Sequence, residues 1–124
     1  MIHVVRHGRT VALIDWEQTC PGHRIDDIAN LCWSFTQPTQ DSDPHEIAER
    51  WRVVLDAYGL ADRTEVIATI VARTTKCVAD IEGNAAAGSH RHALLAERGD
   101  HVAISKSLAW TIRHRAFLDA ALSR

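Results

Sequence analysis

Apolar residues recur at two different periods in this chain, and the change comes early. Residues 2–14 contain two short runs rich in β-branched residues, Ile2-His3-Val4-Val5-Arg6 and Thr10-Val11-Ala12-Leu13-Ile14. Between them His7-Gly8-Arg9 supplies a turn with a glycine free to take positive φ, so the spacing predicts a β-hairpin. From residue 26 onward the apolar residues fall three and four apart, the period of a helix with one buried face. Two strands at one end cannot build a sandwich or a barrel. The expected fold class is therefore α+β, mostly α: an N-terminal β-hairpin followed by about five helices. A lone hairpin is marginal in water, so this one must pack on the helices or on something absent from the chain.

The helices carry start and stop signals. Ile28, Leu31, Cys32 and Phe35 predict a helix over residues 26–35, with Asp26 and Asp27 as caps at its start. Residues 36–42 are a polar connection. Asp43 is a good N-cap, Pro44 suits the first helical position, and Glu46 stands where a capping box needs it. The stripe Ile47, Trp51, Val54, Leu55, Tyr58 follows, and Gly59 ends it. Asp62-Arg63-Thr64-Glu65 repeats the start signal ahead of Val66, Ile67, Ile70, Val71, Thr74, Val78 and Ile81, with an end near Gly83. A weaker helix is expected over residues 84–98. A last one, capped by Asp100, has Ile104, Leu108, Ile112 and Ala116 on one row and Trp110, Phe117 and Ala121 on another.

The 124 residues suffice for one domain, 1–124. Lys and Arg number 14 against 16 Asp and Glu, with no block of like charge, so nothing favours nucleic acid or an anionic membrane. No apolar run is long enough to span a bilayer, and Arg6 interrupts the N-terminus too early for a secretory signal, so the expected location is the cytoplasm. Cys20, Cys32 and Cys77 are odd in number and widely spaced, which predicts reduced thiols rather than a disulfide framework or a zinc site.

Chemistry concentrates between residues 11 and 31. An apolar strand, Val11 to Ile14, delivers one carboxylate, Asp15, at its C-terminal end, followed by Trp16 and Glu17. A Pro21-Gly22 loop leads to the pair Asp26-Asp27 at a helix start. A carboxylate at a strand end suits a hard cation such as Mg²⁺, which takes one or two protein carboxylates and completes its shell with water and phosphate oxygens.

Leu13-Ile14-Asp15-Trp16-Glu17, Pro21-Gly22 and Asp27-Ile28-Ala29 together resemble the aminoglycoside phosphotransferase and choline kinase family, which has a protein-kinase-like fold. The resemblance is specific over residues 2–35 and weaker over 43–124. It implies that Asp15 is the metal-binding aspartate, that Trp16 and Glu17 border the same site, and that Asp27 orders the loop and helix start. It implies ATP and Mg²⁺ as cofactors and a small hydroxyl-bearing, cationic acceptor for the γ-phosphate. Residues 1–17 would be the hairpin and metal-binding step, and 18–124 the helical substrate-binding region.

The family's catalytic loop, His-Gly-Asp-x-x-x-x-Asn, precedes this hairpin. His7-Gly8-Arg9 is not that loop: Arg9 replaces the aspartate and lies only six residues before Asp15. No catalytic residue and no nucleotide-binding residue are therefore assigned. The expectation is a C-terminal part of a phosphotransferase, inactive alone, whose ATP lobe belongs to sequence outside it or to a separate chain. The alternative is a non-catalytic helical module that binds a small molecule or a partner protein.

Other residues read as structure. His90 and His92, two apart, do not share a helix face, and His114 between Arg113 and Arg115 suggests an exposed face. Trp33, Trp51 and Trp110 occupy helical apolar positions and read as core, with cleft lining as the minority reading. Glu46, Glu49, Asp56, Glu65, Asp80 and Glu82 read as a solvated surface rather than a site for a cationic substrate.

Overall fold

A computed structural model describes residues 2–14 and 21–123. The element order is β1 (Ile2–Arg6), β2 (Arg9–Ile14), α1 (Arg24–Thr36), α2 (Pro44–Tyr58), α3 (Val66–Ala86), α4 (His90–Glu97), α5 (Asp100–Arg113) and α6 (Arg115–Leu122). The class is as expected, with six helices among the described residues in place of about five.

The hairpin turns on two residues. His7 and Gly8 both have positive φ, 50° and 73°, the pairing that matches the twist of the flanking strands. Arg9 accordingly joins β2 and pairs with Arg6, so the second strand begins one residue earlier than the sequence suggests. The antiparallel register shifts between Val4, opposite Ala12, and Val5, opposite Thr10. Val11 is the extra residue of this bulge. Among the described residues neither strand packs on a helix. Val5 and Val11 stay 60% and 58% exposed.

The helices bury one continuous core. The long α3 lies against α1, α4, α5 and α6, while α2 packs on α1 and α6. Ala29, Cys32, Trp51, Leu55, Val66, Ile67 and Leu118 are wholly buried. Each such aliphatic side chain contributes about 1.5–3 kcal/mol of burial. The stripe expected on α3 is the buried one, with Val71 and Val78 at its half-buried margin.

Polar tie points fix how these faces meet. The Trp33 indole N–H donates to Ser107 Oγ at 3.0 Å, joining α1 to α5. Trp51 Nε1–H donates to Thr36 Oγ1 at 2.9 Å, joining α2 to α1. Trp110 Nε1–H donates to the Ser42 carbonyl at 3.2 Å, joining α5 to the α1–α2 connection. A buried indole N–H needs such a partner, so each bond fixes a register that apolar packing alone leaves loose.

Several helix ends differ from the sequence reading. Asp43 caps α2, accepting from His45 N–H at 2.9 Å, and Gly59 closes it at φ 75°. Glu46, however, pairs with Arg50 one turn on. Asp62 does not cap α3: it accepts from the N–H and hydroxyl of Thr64, forming a turn one step ahead of the helix. Those bonds hold its carboxyl below the usual range. Gly83 does not stop α3 either. The alanines at 85 and 86 carry the helix on, and the positive φ of 87° comes at Gly88.

The expected last helix breaks at His114. The His114 N–H and Nδ1 both meet the Trp110 carbonyl, at 3.1 and 2.9 Å, and α6 restarts at Arg115. This break rotates the faces, so an apolar row read straight across it is misplaced. Ile112 is 53% exposed, while Trp110, Thr111, Leu118 and Leu122 are buried. Asp100 is the first residue of α5, with Gly99 as the cap. Phe35, expected on the buried stripe of α1, is 66% exposed.

Candidate functional site

Asp15, Trp16 and Glu17 lie outside the described residues, as does Cys20. What the structure shows is the frame on either side. β2 ends at Ile14, directly before Asp15, and α1 begins at Arg24. The loop between them is anchored at its far end by Asp26. One carboxylate oxygen accepts from the His23 backbone N–H at 3.2 Å, and the other lies 3.7 Å from the Arg73 guanidinium of α3. Gly22 stands close enough that a Cβ there would sit 3.6 Å from the same carboxylate. Asp26 thus ties the helix start both to its own cap and to the longest helix. His23, not Asp26 or Asp27, is the N-cap residue.

Asp27 is exposed in the first turn of α1, where a negative charge is favoured by the helix dipole. Among the described residues there is no cluster of three or more His, Cys, Asp or Glu side chains fit for a metal. Both Asp26 oxygens are engaged, and among the described residues Asp27 is the neighbouring carboxylate at the start of α1 that stays exposed.

The remaining candidates are largely structural. Cys32 is buried, and burial pushes its thiol up to about 11, which makes it inert. Cys77 is also pushed up, by burial first and then by the Asp80 charge. His92 Nδ1 meets Ser89 Oγ at 2.8 Å at the start of α4. His114 is half-buried against the Trp110 ring at 4.6 Å, not on an exposed face, because its ring folds back to meet the Trp110 carbonyl that its own backbone N–H already reaches. Of the six surface acids, Glu46, Asp56 and Asp80 pair with Arg50, Arg63 and Lys76. Trp51 and Trp110 are core.

Cavities open among the described residues, and two of them border the elements above. One, of about 290 Å³, is bounded by residues 60–64 with Leu122 and Ser123. Its polar groups already serve the fold: Arg63 bonds the Leu60 carbonyl and Asp56, and Asp62 bonds Thr64. The other, of about 320 Å³, lies between the α1–α2 connection and α5, with half-buried Trp33 in its wall. The sequence pointed to it only through the minority reading of Trp33. Lys106 and Asp41, which also line it, sit 65 positions apart, in no motif.

Residues 1–66 match the phosphotransferase enzyme family, covering the hairpin, the Asp15 step, α1 and α2. The chain belongs to that family. This bears out the resemblance carried by Leu13 to Ala29. The chain is also 29% identical, over 134 aligned positions, to the trifolitoxin immunity protein of Rhizobium leguminosarum bv. trifolii. That alignment covers 97% of this chain and 49% of the relative, so the chain spans about half the length of the curated relative it matches. No solved structure matches it. No helix among the described residues is long and apolar enough to cross a membrane.

Proposed function

We propose that residues 1–124 form one domain, the helical C-terminal part of a phosphotransferase that transfers the γ-phosphate of ATP to a hydroxyl of a small, cationic acceptor in the cytoplasm. The family match over residues 1–66 carries this reading. Asp15 would hold Mg²⁺ at the end of β2. Trp16 and Glu17 would border it, and Asp27 would order the loop. Mg²⁺ supplies charge neutralisation on the phosphates. The chain's own contribution is placement. The hairpin fixes where the strand ends, and Asp26 fixes where α1 begins. The helices then offer the acceptor its surface.

Phosphoryl transfer also needs a catalytic aspartate, a metal-binding asparagine and a lysine paired with a glutamate. The 124 residues contain no His-Gly-Asp-x-x-x-x-Asn. In this reading those groups come from further sequence or from a separate chain carrying the ATP lobe. The uncovered valines of the hairpin support that, since nothing among the described residues packs on them.

The test is an ATPase and phosphotransfer assay on the purified chain, with a translation of the DNA upstream of the Met1 codon. No turnover is expected from the chain alone, and a catalytic-loop motif is expected upstream or in a neighbouring reading frame. Once the missing part is supplied, Mg²⁺-dependent ATP binding should be lost in Asp15→Ala. Turnover by the chain alone would refute its dependence on a second part. ATP binding unchanged in Asp15→Ala would refute the metal assignment.

A further inference from the structure

The 320 Å³ cleft between the α1–α2 connection and α5 has walls tied together by hydrogen bonds and two charged side chains, Asp41 and Lys106, outside those bonds. Its volume falls at the lower end of the range for small-molecule pockets, roughly 300–1,000 Å³. One wall is the segment after α1. Gln37 ends that helix at φ 40°, its N–H bonded to the Trp33 carbonyl at 2.8 Å. Pro38 is fully buried. Thr39 N–H donates to Ser42 Oγ at 2.8 Å, Ser42 N–H returns to the Thr39 carbonyl at 3.2 Å, and the Ser42 carbonyl takes the Trp110 indole. The opposite wall is α5, with Ile104, Lys106 and buried Ser107. Trp33 bridges the two walls through its bond to Ser107. Both walls are therefore fixed before any ligand arrives, which lowers the ordering cost of binding.

The charges are the informative feature. Asp41 lines the cleft from the loop and Lys106 lines it from the helix. Among the described residues neither forms an ion pair. Arg50, Arg63, Lys76, Arg115 and their partners show that opposite charges in this fold do pair where they can reach. An acid contributed by the loop and a base contributed by α5, lining one cleft together with an indole and an aliphatic side chain, match a ligand charged at both ends.

We propose that this cleft binds a small zwitterion, its cationic end at the Asp41 carboxylate, its anionic end at the Lys106 ammonium, and its short apolar body across Trp33 and Ile104. The site lies away from the start of α1, where Asp27 sits. Trp33 and Gln37 are six and ten residues further on, about 9 and 15 Å along the helix axis. Binding needs neither nucleotide nor metal.

The experiment titrates the 124-residue chain with 6-aminohexanoate, hexylamine and hexanoate, following the Trp33 indole N–H resonance and tryptophan fluorescence. The zwitterion is expected to saturate and to bind each single-ended analogue's site roughly tenfold more tightly than that analogue does, the size of one charge-assisted contact. Asp41→Asn should reduce the zwitterion to the affinity of hexanoate, and Lys106→Gln to that of hexylamine. Both side chains are exposed, so neither change should alter the fold, and circular dichroism checks this. Equal affinity for all three probes would overturn the proposal, as would unchanged binding in both variants or no saturation by about 10 mM. Because no ATP is present, that failure would leave the phosphotransferase reading standing, and inactive ATP chemistry would leave this one standing.

Discussion

The hairpin and the helical bundle are stabilised in opposite ways. The hairpin's bonds are all local: Arg6 faces Arg9 across two residues, and the described side chains of both strands remain exposed. The bundle is held by partners far apart in sequence, with Trp51, Leu55, Val66, Ile67 and Leu118 at 0% exposure. A two-stranded ribbon has little stability of its own. The difference teaches that the hairpin, although it leads to the candidate metal step, is not what keeps the rest of the chain folded.

The sharpest test of the contrast is Trp51→Ala. It empties the centre of the core and strips Thr36 Oγ1 of its donor, and should cost about 3–5 kcal/mol in chemical denaturation. Next comes the alkaline limb of stability. A thiol ordinarily titrates near 9.0, and burial raises Cys32 to about 11. The unfolded chain therefore loses this proton first as pH rises. The stability carried by the neutral thiol is full below pH 9.0 and is lost as pH climbs through about 11. Cys32→Ala should flatten that part of the stability curve. Asp43→Ala removes the cap of α2 and should cost about 1 kcal/mol. Smallest of all, Val5→Thr on the hairpin should shift the bundle's denaturation midpoint by no more than about 0.5 kcal/mol allows. A loss as large as that of Asp43→Ala would show that the hairpin does support the helices, and would break the comparison.

What was legible in the sequence was whatever depends on near neighbours. Gly8 gave the turn, Asp43 and Gly59 bounded α2, and the stripe from Val66 to Ile81 named the buried face of α3. What was not legible depended on distant partners or on competition between local signals. Nothing near His114 announces that its ring would fold back on the Trp110 carbonyl, so α5 and α6 read as one helix. Gly83 lost to the alanines after it, and Asp62 was satisfied by Thr64 before it could cap. For the candidate site, the family was readable from residues 13–29. The anchoring of the loop through Asp26 was not, because Arg73 lies 47 positions away.

The indole ties also set an order of events. Trp33 reaches Ser107 across 74 residues, and Trp110 reaches Ser42 across 68. A chain emerging from the ribosome can close its first turn at once, but it cannot clasp α1 until α5 has left the exit tunnel. For most of its synthesis the nascent protein would therefore carry an open apolar helix face, and any pause in translation before residue 107 would prolong that exposure to chaperones and aggregation.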